Sequence, residues 1–260
     1  MGVETTLFDL KGRVALLTGA TKGIGFSMAE GLAQHGAKIV VSSRKIDQCE
    51  VAAAKINEKC GEAGATGIAC NVGYKEDLEN LVAETRNRIV PIEILVCNAG
   101  INPFYGPMSE IPDAAFDKIM GSNVRSNHWL CQMVAPDMVK KRKGSMMITS
   151  STGAFSGSEN LCTYNISKLA DIALVRNLAV EFGSKGVRVN AICPGLIKTD
   201  FSKALWDNAK AHEAAATTTP LRRLGDPEDL KGIAVFLASD ASEYITGQAM
   251  TVCGGTHMWR

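Results

Sequence analysis

The chain has 260 residues and a formal net charge of +1, with 28 Lys and Arg residues against 27 Asp and Glu residues. Hydrophobic residues make up 46% and charged residues 21%, which is ordinary globular composition and excludes fibrous and disordered classes. This balance gives no global positive field for nucleic acid or for an anionic membrane. We therefore expect neither partner.

Cysteine and histidine usage points to a reduced compartment and to no metal site. The eight cysteines form no C-x-x-C pair, and no two of the four histidines have metal-ligand spacing. The N-terminal residues lack the basic and apolar regions of a signal peptide. No run approaches about 18 apolar residues, so no transmembrane helix is predicted. These patterns predict a cytoplasmic protein.

Short apolar runs alternate with longer stretches of helical periodicity along the chain. The runs predicted to be strands are 14–17, 38–41, 67–70, 92–96, 145–149, 188–192 and 249–252. The stretches predicted to be helices are 24–35, 78–88, 116–138 and 168–182. The strand runs are nearly continuously apolar, as strands buried on both faces should be. The alternation, with no linker, predicts a single-domain α/β Rossmann fold over residues 1–260, with a doubly wound seven-stranded parallel sheet and helices on both faces.

The first predicted strand continues into the glycine-rich segment T-G-A-T-K-G-I-G at residues 18–25, and a helix follows. Gly19 permits a tight turn, whereas Gly23 and Gly25 let the backbone approach a pyrophosphate. The helix N-terminus offers unpaired N–H groups to phosphate. The segment therefore predicts a dinucleotide site. Its predicted contacts are Gly19, Thr21, Lys22, Gly23, Ile24 and Gly25.

The end of the second strand predicts which dinucleotide binds. A fold that prefers NAD usually has Asp or Glu about 20 residues beyond the glycines, on the ribose 2′-OH. Here Ser43 and Arg44 lie in that region, and a guanidinium binds a 2′-phosphate through charge-assisted hydrogen bonds. Lys22 can add a second cation, and Asp47, beyond the strand end, is the only nearby acid that could support NAD. We expect NADP(H).

Ser151, Tyr164 and Lys168 form a candidate catalytic set. Tyr164 and Lys168 are four residues apart and share one helix face. An unperturbed tyrosine has a pKa near 10, and a neighbouring ammonium stabilises its phenolate. Tyr164 can then donate a proton to a carbonyl oxygen as hydride arrives, or accept one in reverse. Ser151 ends a strand and can hydrogen-bond the same oxygen. Alone, the Tyr–Lys pair is typical of an ordinary amphipathic helix.

Over essentially its whole length the chain resembles the short-chain dehydrogenase/reductase superfamily. The motifs that carry the resemblance are T-G-x-x-x-G-x-G at 18–25, N-A-G at 98–100, Asn123, Ser151 with Tyr164 and Lys168, and Pro194-Gly195 with Ile197 and Thr199. The resemblance implies that Tyr164 is the general acid/base and that Ser151 orients the carbonyl. It implies that Lys168 favours ionised Tyr164 and holds the nicotinamide ribose. Asn123 would support a water-linked proton relay to Lys168.

The same resemblance implies the rest of the cofactor site and a homotetramer. Asn98 would brace the central strands, and Ile197 with Thr199 would bind the carboxamide of nicotinamide. The other implied contacts are Asn71, Val72, Ala99, Gly100, Tyr164, Lys168, Pro194 and Gly195. The family usually has Asp where this chain has Asn71, so we expect a modest loss at the adenine amino group. Helices 116–138 and 168–182 and the final strand would form the subunit interfaces.

A narrower resemblance, to the NADPH-dependent carbonyl and retinal reductase branch, is carried by residues 102–106, 195–199, 201–202, 205–206 and 221–225. The substrate wall is expected to contain Phe104, Tyr105, Phe155, Leu161, Leu196 and Trp206. An apolar, partly aromatic wall suits a hydrophobic carbonyl or alcohol. Residues 196–220 are predicted to form a lid over it.

The favoured function is reversible NADPH-dependent reduction of ketones or aldehydes. Two alternatives stay open at this point. Fatty-acid-synthesis reductases share every motif, so the chain could reduce a 3-oxoacyl thioester. It could also be a non-catalytic NADP-binding sensor or assembly protein, because a fold does not fix a function.

Overall fold

A seven-stranded, entirely parallel sheet forms the centre of the computed structural model, which describes residues 6–61, 64–89 and 91–258. The strands are β1 (Val14–Thr18), β2 (Lys38–Ser43), β3 (Ala65–Ala69), β4 (Ile94–Cys97), β5 (Gly144–Thr149), β6 (Val187–Pro194) and β7 (Ala249–Val252). Their spatial order is β3-β2-β1-β4-β5-β6-β7. The α-helices described are α1 (Gly23–Gln34), α2 (Ile46–Cys60), α3 (Lys75–Arg88), α4 (Asp113–Met120), α5 (Ser126–Lys141), α6 (Cys162–Gly183), α7 (Ala209–Thr218) and α8 (Lys231–Ala238).

The strands are apolar at nearly every position because helices cover both faces of the sheet. In β1, Leu16 packs into the core formed with α3, α5 and α6. The next residue, Leu17, packs into the opposite core with α1, α2 and α8. Successive side chains of a strand point to opposite faces, so a strand between two cores has no polar face. The predicted doubly wound Rossmann fold is confirmed.

The strand order reverses between β1 and β4, and this reversal fixes where a ligand binds. The two strands pair in parallel, with Leu16 opposite Leu95. Loops leaving their carboxyl ends diverge to opposite sides, which opens a crevice at the edge of the sheet. Asn98 enters this crevice directly after β4, and its backbone N–H donates to Thr18 Oγ1 over 3.2 Å.

The predicted helix over 116–138 is confirmed as a single helical run, within which the hydrogen-bonding pattern changes. The run consists of α4, a π-helical turn at Gly121–Arg125 and α5, and Met120 and Ser126 at the two junctions keep right-handed helical dihedral angles. Asn123 lies in the turn and forms two hydrogen bonds with the backbone of Ile101. Its Oδ1 accepts from the Ile101 N–H, and its Nδ2 donates to the Ile101 carbonyl oxygen. Such π turns are frequent at functional sites. Hydrophobic periodicity does not reveal this one, because a contact with a distant loop holds it.

Three helices and several strand ends also differ from the prediction. Helices α2, α7 and α8 were not predicted. Helix α2 buries only Cys49, Ala52, Ala53 and Ile56, so its apolar stripe is narrow. Strand β3 spans 65–69 instead of 67–70, β4 spans 94–97 instead of 92–96, and β6 extends to Pro194. None of the helices in the described ranges combines the length and apolar character needed to cross a bilayer.

Candidate active site

The glycine-rich turn after β1 is pressed against the loop after β4. Gly19 has φ +62°, and a Cβ there would lie 2.8 Å from the Cα of Ala99. A Cβ on Gly25 would lie 2.4 Å from Gly19 O and 2.5 Å from Asn98 Nδ2. Asn98 Nδ2 donates to Gly19 O over 2.9 Å. The loop is thus an open backbone cradle at a helix start, which fits the pyrophosphate of a dinucleotide.

Gly25→Ala is expected to lower the free energy of unfolding by about 1–3 kcal/mol, the usual cost of overpacking. The added methyl group must displace both Gly19 O and the Asn98 side chain, so binding of the dinucleotide should weaken as well. Thermal and chemical denaturation measure the first effect.

The matched control is Gly232→Ala in α8, where an added Cβ meets nothing within 4 Å. Alanine is favoured over glycine in a helix by roughly 0.5–1 kcal/mol, so this variant should be neutral or slightly stabilised. Equal stability of the two variants would contradict the close packing of the cradle.

An ion pair joins the glycine-rich turn to the segment after β6. Lys22 Nζ lies 2.7 Å from Asp200 Oδ2, with both side chains largely exposed. The hydrogen bond and charge of Lys22 lower the pKa of Asp200. Behind this pair, a Cβ on Gly23 would lie 3.3 Å from the Thr199 side chain. No motif of the sequence marks Asp200, and the use of Lys22 as a second phosphate cation stays a prediction.

The end of β2 presents Ser43 and Arg44 beside the crevice. The carbonyl of Ser43 accepts from the backbone N–H of Cys70 at the end of β3. Arg44 is exposed, and within the described residues no carboxylate forms an ion pair with it. Asp47 lies in the first turn of α2. The guanidinium is therefore available to a ligand at this strand end.

Asn71, at the predicted adenine subsite, follows β3 and is held by its own loop. Its Oδ1 accepts from the backbone N–H of Gly73 over 3.2 Å, and its backbone N–H donates to Asp77 Oδ2 over 3.0 Å. Val72, the next residue, packs against the core formed with α3. An amide oxygen has two lone pairs, so Asn71 retains capacity to accept from a ligand.

Tyr164 and Lys168 lie on one face of α6, as their spacing predicts. Lys168 Nζ is 5.7 Å from the centre of the Tyr164 ring. Lys168 is buried, at 3% exposure, and donates to Thr149 O at the end of β5 over 2.8 Å. Ser151 follows β5, and its Oγ accepts from the backbone N–H of Gly153. Strand β5 and helix α6 thus bring the predicted set to one end of the sheet.

A buried carboxylate that the sequence analysis missed contacts the lysine. Asp171 Oδ2 lies 3.1 Å from Lys168 Nζ, and Asp171 is fully buried. Burial pulls the pKa of Lys168 down, but the charges of Asp171 and Tyr164 outweigh it, so the pKa lies above its ordinary value. Burial also raises the pKa of Asp171, opposed by Lys168 and by a hydrogen bond from Asn127. Contact with the ammonium favours the carboxylate form.

Asn123 connects the π-helical turn to the catalytic helix. It is fully buried, and its Nδ2 donates to Ser167 Oγ over 3.0 Å, next to Lys168. A Cβ on Gly100 would lie 3.6 Å from both Lys168 Nζ and Asn123 Oδ1. The N-A-G loop, the π turn and the lysine therefore meet. The water-linked relay through Asn123 stays a prediction.

The predicted substrate wall is only partly brought together. Phe104 and Leu161 line one small cleft, whereas Tyr105 is 63% exposed. Phe155 stacks on His257, with ring centroids 4.5 Å apart. The Tyr164 ring has a neighbour that the sequence analysis missed, Phe201, at 6.0 Å. Phe201 lies in the segment predicted to be the lid, but no local pattern of the sequence places its ring against Tyr164 or the His257 ring against Phe155.

Packing and hydrogen bonds hold the segment after β6 against the rest of the domain. Pro194 ends the strand, and a Cβ on Gly195 would lie 2.8 Å from Cys253 Cβ. Ser202 Oγ accepts from Trp206 Nε1 and from the backbone N–H of Thr199. Leu196, a predicted wall residue, accepts a backbone hydrogen bond from Gly225. Ile197, predicted to bind the carboxamide of nicotinamide, forms an isolated parallel bridge with the same glycine.

Comparison with known proteins identifies the family. A family model described as "Enoyl-(Acyl carrier protein) reductase" matches residues 19–257. The human protein "Dehydrogenase/reductase SDR family member 4" is 44% identical over 248 residues, which cover 95% of this chain and 88% of the relative. The chain belongs to the short-chain dehydrogenase/reductase family. It is therefore an oxidoreductase that acts on CH–OH or carbonyl groups, and its family binds a nicotinamide cofactor.

Solved structures of short-chain dehydrogenases/reductases superpose closely on this chain. A short-chain type dehydrogenase/reductase from Mycobacterium marinum has a TM-score of 0.89 at 33% identity, covering 96% of this chain and 97% of that one. A gluconate 5-dehydrogenase from Burkholderia cenocepacia, in complex with NADP and tartrate, has a TM-score of 0.91 at 29% identity, covering 96% and 97%. The motif-based resemblance is confirmed.

Proposed function

We propose that the protein is an NADPH-dependent reductase of hydrophobic ketones or aldehydes, acting reversibly as an alcohol dehydrogenase. The observation that carries the proposal is the buried Lys168 ammonium 5.7 Å from the Tyr164 ring centre, at the strand ends that hold the glycine cradle. A lysine there stabilises negative charge on the phenol oxygen. Tyr164 is thereby suited to exchange a proton with a substrate oxygen near neutral pH.

Each group has a defined task in this reaction. NADPH, when bound, supplies the hydride that reduces the carbonyl carbon. Tyr164 donates its proton to the carbonyl oxygen, and the Ser151 hydroxyl donates a hydrogen bond that orients it. Lys168 stabilises the phenolate that remains and binds the nicotinamide ribose. Asn123 holds the π turn in place and supports proton return towards Lys168.

Arg44 supports NADPH over NADH. Its guanidinium follows β2 with no carboxylate partner among the described residues, and the strand end lacks the Asp or Glu that would bind a ribose 2′-OH. A 2′-phosphate would satisfy the guanidinium through charge-assisted hydrogen bonds. The relative from Burkholderia cenocepacia, solved with NADP, is consistent with this preference.

The apolar surroundings of Tyr164 support a hydrophobic substrate. Phe201 tilts against the Tyr164 ring, and Phe104 with Leu161 lines the neighbouring cleft. An apolar wall with few polar groups selects ligands by shape and apolar contact. The segment 196–220, which contains α7, would act as the lid. The matching family model is named for the reduction of a C=C bond in an acyl-carrier-protein thioester. An acyl thioester reduced at its 3-oxo group is therefore the second candidate.

Assembly is a further part of the proposal. Helix α6 exposes Leu169 at 51% and Val180 at 85%, and apolar side chains on one helix suit a subunit interface. We expect a cytoplasmic homotetramer with α5, α6 and β7 at its interfaces. Sedimentation equilibrium gives the mass directly, and a monomer at micromolar concentration would contradict this expectation.

The test of the function is NADPH oxidation against a panel of retinal, aromatic ketones, α-diketones, cyclic ketones and an acetoacetyl thioester, with NADH in parallel. We expect turnover on free ketones with NADPH. Turnover only on the thioester would select the second candidate. Intact NADPH binding with no turnover on any compound would favour a non-catalytic binding protein.

A further inference from the structure

A buried acid lies behind the catalytic lysine, and the proposed reaction gives it no task. Asp171 is fully buried, one turn beyond Lys168 on α6. Carboxylates are almost never fully buried unless they are paired. Burying an ion pair is costly and often adds no stability over an apolar replacement. A role other than stability is therefore worth testing.

Both oxygens of the carboxylate are held. Oδ2 is 3.1 Å from Lys168 Nζ, and Oδ1 accepts from Asn127 Nδ2 over 3.0 Å. Asn127, on α5, also donates to the backbone oxygen of Asn123 over 2.5 Å. The acid therefore fixes the ammonium from behind and ties it to the π turn. Contacts within α6 and with α5 therefore fix the Asp171 carboxylate.

Besides Tyr164, two buried thiols interact with the pair, Cys97 on β4 and Cys193 on β6. Cys131 on α5 is also buried and forms a hydrogen bond with Cys97. Burial raises the pKa of Cys193 to about 11. A hydrogen bond with Cys131, together with burial, raises the pKa of Cys97 well above its usual range. These two thiols are neutral near pH 7, so Asp171 supplies the charge that opposes the ammonium.

We propose that Asp171 is a positioning residue that partly compensates the Lys168 charge and so sets the pH range in which Tyr164 donates its proton. This proposal rests on the proposed function. A charge within about 4–6 Å typically moves an ionisation by one to three pH units. With the Asp171 carboxylate in place, the Lys168 ammonium stabilises the Tyr164 phenolate less. Tyr164 therefore stays protonated to higher pH. That state is the one reduction requires.

The test is Asp171→Asn, studied by the pH dependence of kcat/KM for carbonyl reduction and by ultraviolet titration of tyrosinate. The Tyr164→Phe spectrum is subtracted to isolate Tyr164 from the other tyrosines. We expect the alkaline limb and the Tyr164 titration both to move down by about one pH unit, the low end of that range. Asp171→Glu, which keeps the negative charge, should show the wild-type midpoint in both the kcat/KM profile and the Tyr164 titration.

A second variant covers the case in which Asp171→Asn fails to fold because the buried ammonium loses its partner. Asn127→Asp combined with Asp171→Asn keeps the net charge and the hydrogen bond between the two side chains. It moves the carboxylate from α6 to α5, farther from Lys168 Nζ, and it loses the hydrogen bond that Asn127 donates to the backbone oxygen of Asn123. Its limb should lie between those of the wild type and Asp171→Asn. The control Asp137→Asn removes a carboxylate that pairs with Arg86 at the surface and should move nothing.

The compensating role would be overturned if Asp171→Asn left both the alkaline limb of kcat/KM and the ionisation of Tyr164 at their wild-type pH. If Asp171→Asn does not fold, the same result in the double variant Asn127→Asp with Asp171→Asn would overturn it. A move to higher pH would overturn it too, because it would mean that Lys168 had lost its proton. Failure of the proposed function looks different. In that case the wild type shows no alkaline limb that Tyr164→Phe removes, whatever Asp171 does.

Discussion

Tyr164→Phe is expected to lower kcat for carbonyl reduction by about 10²–10⁴-fold, the usual contribution of a general acid. The ring still packs against Phe201 and remains near Lys168, so only the proton donor is lost. NADPH should bind with its affinity within a few-fold of the wild-type value, because the glycine cradle is untouched. Steady-state turnover and fluorescence titration of NADPH separate the two effects.

The matched control for this prediction is Tyr244→Phe, which removes a hydroxyl from a fully exposed side chain and should leave kcat unchanged. If Tyr164→Phe turns over at a rate close to that of the wild type while Tyr244→Phe does the same, the proton donor lies elsewhere. A parallel loss of NADPH affinity would instead assign Tyr164 to binding.

Arg44→Asp is expected to weaken NADPH binding by about 10²–10³-fold, because a charge-assisted hydrogen bond worth about 1.5–3 kcal/mol is lost and the new carboxylate repels the 2′-phosphate. NADH, which has a ribose hydroxyl there, should change by no more than a few-fold or should bind better. The ratio of kcat/KM for the two dinucleotides measures the reversal.

Lys55→Asp provides the control for Arg44→Asp, because it makes the same charge change at an exposed position of α2. It should affect NADPH and NADH alike and only slightly. If Arg44→Asp lowers the affinity for both dinucleotides equally, Arg44 does not read the 2′-phosphate. The preference for NADPH would then need another cation, and Lys22 with its Asp200 pair would be the next position to vary.

The fold was predictable because its signals are local. Strands between two cores are apolar at every position, as Leu16 and Leu17 show, and the glycine-rich turn has a fixed spacing between strand and helix. Helix α2 escaped prediction because small residues such as Ala52 and Ala53 suffice to pack it, so its periodicity is weak.

The contacts that refine the site depend on residues distant in sequence, and no local pattern contains them. Lys22 and Asp200 are 178 residues apart, and Asn127 and Asp171 are 44 residues apart. Only the Asp171 position carried a signal, since an acid on the buried face of a helix requires a partner. The stacking of Phe155 on His257 depends on how the C-terminal segment returns, which periodicity does not address.

Hydride transfer from NADPH to a carbonyl carbon, with Tyr164 as the proton donor, is tested most directly with a deuterium label. The protein is incubated with NADPH that carries deuterium at both positions of its hydride-donating carbon and with the best ketone of the panel, and the alcohol is analysed by mass spectrometry and NMR. We expect one deuterium at the carbinol carbon, with formation of labelled alcohol almost abolished in Tyr164→Phe. Unlabelled alcohol, or labelled alcohol formed equally fast by the variant, would contradict it.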